Sequence, residues 1–279
     1  MVTSIETFFG ELPQLNEKMS GNYYYRGQSN IAFKLKPSVF RETLDEHDIY
    51  NLIMTECAHE FSDCILHNEI LSKMQHYGVP TRLLDITTNP LVALYFACDD
   101  KEHKGEDGVI FVIETKKSNV KNYDSDAISI LSSLPRFTAD EKDEMLFLAQ
   151  KRCEKNNEGT YKNSDIKDFN NEKIIRRLLH EIKKEKPAFE NIINPNDLMT
   201  NFIFLPRKIN ARIIRQSGAF IIFGLKEEEY ICKRKIPIQK NSKQHIIDQL
   251  SCFGISKATL HPELYKVAEF IKEKYSRNN

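Results

Sequence analysis

Gln75-His76-Tyr77-Gly78-Val79-Pro80-Thr81-Arg82-Leu83-Leu84-Asp85, followed by Asn89-Pro90 and the run Leu91-Val92-Ala93-Leu94-Tyr95-Phe96-Ala97, crowds reactive polar side chains between two apolar elements. Gly78 suits the left-handed end of a helix, and Pro80 blocks that helix from restarting. Residues 81–86 then read as a short strand. Asn89 offers an N-cap oxygen, Pro90 fits the first helical position, and Leu91, Leu94, Tyr95 and Cys98 recur at helical spacing. The predicted order is helix, turn, strand, turn, helix. Where such a strand ends near a helix N-terminus, backbone N–H groups and the helix dipole favour an anion such as phosphate. His76, Tyr77, Arg82 and Asp85 would stand around it.

Outward from this stretch, residues 22–26 form a tyrosine-rich strand, and 42–75 show Ile49, Leu52, Ile53, Phe61, Ile65 and Met74 on roughly one face of a long helix. The continuous apolar run at 108–113, bounded by Asp107-Gly108 and Thr115-Lys116-Lys117, suits a buried strand. Residues 138–200 turn charge-rich, with helices at 140–155 and 171–186, and read as a helical insertion with a solvated face. Strands are expected again at 201–205, 211–214, 219–223 and 229–233, and helices at 242–253 and 262–275. The fold class is α+β: a mixed or antiparallel sheet core, flanking helices and the insertion. Within a single unit of 1–279, residues 22–114 hold the first strand and central motif, and 201–279 a second β cluster with the closing helices.

The 279 residues are 41% hydrophobic, ample for a buried core. Lys and Arg balance Asp and Glu at 40 against 40, so no global basic field drives binding to nucleic acid, although local patches are open. Six cysteines lack CxxC or metal-finger spacing and read as reduced thiols, which implies the cytosol. Cys57 and Cys64, seven apart on the expected long helix, read as packing. Residues through Met19 show no charged-then-apolar export signal, and no run approaches the ~18 apolar residues of a membrane span. His59, His67 and His76 are not at helical zinc spacing, so no metal is expected, and G-x-S-x-G, Walker and dinucleotide glycine loops are missing.

Individual residues support two readings each. Arg26, in Tyr25-Arg26-Gly27-Gln28, either pairs with a carboxylate such as Asp85 or binds phosphate or carboxylate in a ligand. Gly27 permits close backbone approach, and Gln28 adds an amide that can read a ribose or base. His76 is a general base, a phosphate holder or a structural residue at a helix end. Tyr77 stacks on a ring or seals the core. Arg82 binds a ligand or forms an ion pair with Asp85.

The central stretch, Tyr25-Arg26-Gly27-Gln28, Pro37-Ser38-Val39-Phe40-Arg41, Asn210-Ala211-Arg212-Ile213-Ile214-Arg215-Gln216-Ser217-Gly218-Ala219-Phe220 and the closing Gly254-Ile255 with Thr259-Leu260-His261-Pro262-Glu263-Leu264 together resemble the FRG domain family. Tyr25 replaces the family's phenylalanine, and His261 stands where an aromatic residue is expected. A remoter likeness in layout links the chain to ADP-ribosyltransferases. There, a first-strand Arg holds NAD, the second element is a strand running into a helix, and a late strand carries a catalytic Glu. Those roles would fall to Arg26, to the segment from Thr81 through Asp85 into the helix at 90–97, and to Gln216. A glutamine can only hydrogen-bond, so transfer chemistry would need another carboxylate such as Asp85. The resemblance implies a cytoplasmic protein with a nucleotide-like ligand, NAD as candidate substrate, and a role in a toxin or anti-phage defence. Catalytic candidates are Arg26, His76, Asp85 and Gln216; ligand-binding candidates are Gly27, Gln28, Tyr77, Thr81 and Arg82. The alternative is a non-catalytic module whose residues 138–200 contact a protein or nucleic acid.

Overall fold

The apolar segments assemble into one seven-stranded sheet in a computed structural model that describes residues 1–12, 22–42, 44–154, 163–263, 267–268 and 270–271. Its strands are β1 (Asn22–Gln28), β2 (Leu83–Thr87), β3 (Gly108–Thr115), β4 (Val120–Asn122), β5 (Phe202–Leu205), β6 (Gly218–Ile222) and β7 (Arg234–Ile238), in the order β4-β5-β6-β2-β1-β3-β7. Only β4 and β5 run parallel; the other pairs are antiparallel, so the sheet is mixed and the fold is α+β. The helices used below are α1 (Glu46–Glu56), α2 (His67–His76), α3 (Pro90–Cys98), α4 (Ala139–Glu154), α5 (Lys173–Glu185) and α6 (Ala211–Arg215).

The central stretch folds as its turn residues dictate. Gly78 takes φ +80° just after α2, and Asn89 Oδ1 accepts from the Leu91 N–H at 3.0 Å to cap α3. Strand β2 pairs Asp85 with Phe220 and Thr87 with Gly218 of β6, while β1 pairs Tyr25 with Thr87 on the other side. This order puts Arg26, Asp85 and the residues before β6 side by side. Helix α3 lies so close to β1 that a Cβ at Gly27 would overlap the Ala93 carbonyl oxygen. Close approach at Gly27 therefore serves the helix, and the sheet and α3 form a rigid floor and wall.

Several expected elements differ. The long helix at 42–75 is three pieces: α1, a single 3₁₀ turn at Ala58–Phe61, and α2. Cys57 and Cys64 thus share no helix; both are free thiols packed against the core. Residues 211–214 form a helix rather than a strand, because Asn210 Oδ1 caps the Arg212 N–H at 2.7 Å and the local cap overrides the apolar pattern. The strand expected at 229–233 lies instead at Arg234–Ile238, an edge strand with Arg234 and Lys235 exposed and Ile236 and Ile238 buried. The later strands β5, β6 and β7 join the same sheet as β1 and β2. The helix expected at 262–275 lies largely outside the described residues.

The charge-rich insertion buries an apolar stripe. Phe137, Met145, Phe169, Ile174, Leu178 and Ile182 share one core with Leu83, Phe220 and Ile222 of the sheet. Two buried polar links add to this docking. One joins the residue just before β2 to α1 and α4 through Arg82, Glu46 and Lys142. The other joins α2 to α5: the His67 N–H donates to the Glu185 carboxylate, and His67 Nδ1 lies 3.0 Å from Ser133 Oγ.

His67 carries a pH dependence. Burial, reinforced by Arg136 and opposed by Glu181, lowers its pKa from 6.5 to about 3. The folded state therefore keeps the ring neutral while the unfolded chain takes up a proton below pH 6.5. Stability from this residue is complete above pH 6.5 and is lost as pH falls toward 3. Glu185, whose pKa burial raises, acts in the opposite sense. We expect the melting temperature of wild type to fall more steeply across this window than that of His67→Gln, measured by thermal denaturation at stepped pH. Equal slopes would assign the acid sensitivity elsewhere.

Candidate functional site

A cleft of about 280 Å3 opens where β1, β2, α3 and the start of β6 meet. It is lined by Arg26, Gly27, Gln28, Asp85, Arg212 and Gln216, with Arg41, Phe96, Asp99 and Asp100 at its sides. Residues from four distant segments thus converge on one hollow. A larger hollow, about 740 Å3, lies in the insertion between Ile166 and Ile192, but no carboxylate, thiol or hydroxyl lines it among the described residues. Chemistry gathers in the smaller one.

Arg26 is held from two sides. Its Nη1 donates to the Asp85 carbonyl at 2.6 Å and stands 4.0 Å from the Asp85 carboxylate. With the Gln28 amide oriented to satisfy its neighbours, Gln28 donates to Phe33 O at 3.0 Å and its oxygen accepts from Arg26 Nε at 3.2 Å. Gln28 is buried and helps orient the arginine at the wall of the cleft. Arg26 Nη2 has no partner among the described residues and is the donor left for one. Burial lowers the Arg26 pKa, with Arg41 in the same direction and Asp85 opposing, yet a guanidinium stays protonated at any working pH.

Asp85 is positioned by the central motif itself. Thr81 Oγ1 donates to Gln75 Oε1 at 2.7 Å, and Gln75 Nε2 donates to Asp85 Oδ2 at 2.7 Å. Thr81 is buried, so its part is to set Gln75, which in turn sets the carboxylate. The Asp85 side chain is 46% exposed and leaves Oδ1 toward solvent contact.

Gln216 reaches the same cleft. Its backbone oxygen accepts from Thr87 Oγ1 at 2.7 Å, and its Nε2 donates to Leu260 O at 3.1 Å, which leaves Oε1. The next residue, Ser217, adopts φ +47°, a left-handed conformation that a non-glycine residue takes at some cost. That turn sends the chain into β6 directly after Gln216.

Three other sequence candidates lie elsewhere. Arg82 is 1% exposed and faces away from the cleft. Its Nε and Nη2 form a bidentate pair with Glu46 at 2.9 and 2.5 Å, and its Nη1 donates to Phe223 O at 2.9 Å. The expected Arg82–Asp85 pair does not form, because alternate residues of a strand point to opposite faces and only Arg82 meets α1. His76 faces Glu263, with its Nε2 3.3 Å from the carboxylate, and burial and Arg212 lower its pKa while Glu263 and Asp85 oppose. The lowering disfavours the charged ring that would attract a phosphate. Tyr77 is 63% exposed beside a second hollow.

Residues that the sequence reading did not select complete the cleft. Arg41 and Arg212 add positive charge, and neither guanidinium meets a carboxylate among the described residues. Arg212 Nη1 donates only to His76 O, at 3.2 Å. Both sit in stretches that carried the family resemblance, which was the signal that could have found them. Asp100 also lines the cleft: burial pushes its pKa up, but hydrogen bonds with Ser29 at 2.6 Å and His103 at 2.8 Å outweigh it and hold the pKa below the usual value. Phe96 gives an apolar wall and meets His261 edge-on at 5.9 Å between centroids.

Among the described residues, one group, Asp45, His47 and Asp48, brings metal-type ligand atoms within 4.8 Å of one another. Asp45 Oδ1 is already the N-cap of α1, accepting from the His47 and Asp48 N–H groups at 2.9 and 3.1 Å. Among the same residues no helix is long and apolar enough to cross a membrane.

Residues 21–106 match the FRG domain family, so the chain carries an FRG domain that spans the strand with Tyr25-Arg26-Gly27 and the whole central motif. No curated protein and no solved structure matches the chain.

Proposed function

We propose that this FRG domain uses the cleft to bind an anionic, nucleotide-like ligand, with NAD as the leading candidate, and that it cleaves or transfers at the ribose carbon bearing nicotinamide. The observation that carries this reading is the convergence of Arg26, Asp85 and Gln216 on one hollow flanked by Arg41 and Arg212. Five guanidinium, carboxylate and amide groups from four segments meet there. Their arrangement follows the layout of ADP-ribosyltransferases: a first-strand arginine, a strand running into a helix, and a residue leading a late strand.

The volume narrows the ligand. At about 280 Å3 the cleft stands at the lower edge of the ~300–1,000 Å3 typical of small-molecule sites. It suits one nucleoside-sized moiety with its phosphates passing the arginines. In the proposed reaction the bond between ribose C1′ and the nicotinamide nitrogen breaks, and its electron pair leaves with nicotinamide. Water or an acceptor hydroxyl forms the new C1′–O bond and gives its proton to a base. Asp85 is the carboxylate placed for both tasks, taking that proton and stabilising positive charge on the ribose. Gln216 Oε1 orients a ribose hydroxyl without supplying charge. NAD consumption of this kind suits an effector in toxin or anti-phage systems, the role suggested by the resemblance.

The test is incubation of purified protein with NAD, reading nicotinamide release and ligand-induced thermal stabilisation together. Release by wild type that Asp85→Asn abolishes, with stabilisation retained, is the expected result. Stabilisation without release by wild type would make the domain a nucleotide sensor. Neither signal would reject NAD and favour the regulatory alternative.

A further inference from the structure

Residues 206–216 join β5 to β6 and read Pro206-Arg207-Lys208-Ile209-Asn210-Ala211-Arg212-Ile213-Ile214-Arg215-Gln216, with four cations and no carboxylate in a chain whose charges balance as a whole. The end of this segment walls the cleft through Arg212 and Gln216. Its beginning, through Arg207, Ile209 and Asn210, lines a second hollow of about 230 Å3 whose opposite side includes Lys73, His76 and Tyr77 at the end of α2, and also Asp63 and Glu69, which pair with Lys73 and Arg207. The two hollows share a wall, because Arg212 Nη1 donates to the His76 carbonyl at 3.2 Å.

The charge of this segment is not neutralised. Among the described residues only Arg207 has a carboxylate partner, Glu69 at 2.8 Å. Arg212 and Arg215 bond backbone carbonyls, Arg215 that of Thr259 at 3.4 Å, and a carbonyl leaves the positive charge in place. Lys208 is exposed and has no partner among the described residues. Large side chains are exposed on the segment and across the hollow from it: Ile209 is 67% exposed, Ile214 53% and Tyr77 63%. Unneutralised cations near an exposed aromatic ring and apolar side chains match a flexible polyanion that also has flat apolar faces. A duplex offers phosphates but hides its base faces, and an acidic peptide does not pair a ring with every charge as a single strand does.

We infer that residues 206–215 together with Tyr77 form a docking surface for single-stranded nucleic acid, which carries the strand past the mouth of the cleft. Phosphates meet Lys208, Arg212 and Arg215, and a base stacks on Tyr77. Binding stands by itself; only the further step, in which the strand supplies the acceptor, rests on the proposed reading of the cleft.

Fluorescence anisotropy with an end-labelled single strand of about 20 nucleotides tests this, since such a strand exceeds the ~4–16 nucleotides of common single-strand sites. The double variant Lys208→Glu/Arg215→Glu should bind at least about tenfold more weakly at low salt. Its slope of log affinity against log salt should flatten by about 1.4, or roughly 0.7 for each phosphate that is no longer neutralised. Tyr77→Ala should lose about tenfold without a change in slope. All three residues are exposed, so unchanged melting temperatures check folding. Arg26→Ala should bind the strand as wild type does, so failure of the NAD reading and failure of this one are separable. Absent binding, affinity indifferent to the charge reversal, or displacement of the strand by polyglutamate at equal charge concentration would overturn the inference.

Discussion

Glu46→Ala should be the most destabilising single substitution in this protein, and Arg82→Ala the next. Glu46 and Arg82 are 6% and 1% exposed, and Glu46 accepts the bidentate guanidinium and also Lys142 Nζ at 2.9 Å. Burial alone would raise the Glu46 pKa, but Arg82 and Lys142 together hold it below the ordinary carboxylate value. Breaking a buried pair by removing one partner costs ~3–5 kcal/mol, because the survivor remains charged without water or a counter-ion. Glu46→Ala strands two cations and belongs at the top of that range. Arg82→Ala leaves Glu46 with Lys142 and belongs at the bottom, with the Phe223 carbonyl losing its donor as well. Chemical denaturation of both variants measures the order. A loss under ~0.5 kcal/mol for either, the ordinary range for a surface substitution, would mean that the network is not closed to water.

The second large effect is functional. Arg26→Ala should abolish ligand-induced thermal stabilisation by NAD while costing far less stability than Arg82→Ala. The Arg26 side chain is 18% exposed, its ion pair with Asp85 spans 4.0 Å, and Asp85 is itself 46% exposed. What the fold loses is the bond to the Asp85 carbonyl, and a buried acceptor left unsatisfied costs ~1–3 kcal/mol, less where water can enter. What the ligand loses is the one cation whose Nη2 is free among the described residues and whose orientation Gln28 and Asp85 both set. Thermal shifts of both variants with and without NAD give the comparison. Retained stabilisation in Arg26→Ala would remove this arginine from the site, and a collapse equal to that of Arg82→Ala would make it a structural residue.

The contrast between these two arginines marks how far the sequence reaches. Gly78, Asn89 and Pro90 act within one or two residues of themselves, so the helix, strand and helix around Asp85 were legible without the fold. The apolar run at 108–113 needed no partner to read as buried. The same local rules misled at 211–214, where apolar alternation suggested a strand and the Asn210 cap, a single hydrogen bond, selected a helix. They misled also at 42–75, where spacing on one face continues across the break at Ala58–Phe61 because both flanking helices pack on the same core.

Taken alone, the sequence determined the α+β class, the central motif, the FRG resemblance and the candidates Arg26 and Asp85, since each depends on residues close together in the chain. Tertiary structure alone decided which candidates meet. Pairing of β2 with both β1 and β6 brings Gln216 to Arg26 across most of the chain, and it adds Arg41 and Arg212, which no spacing rule connects. It also turned Arg82 away from Asp85 toward Glu46, 36 residues earlier. Side chains on one strand point by alternation, but what they point at depends on which distant element packs there, and that choice belongs to the whole core.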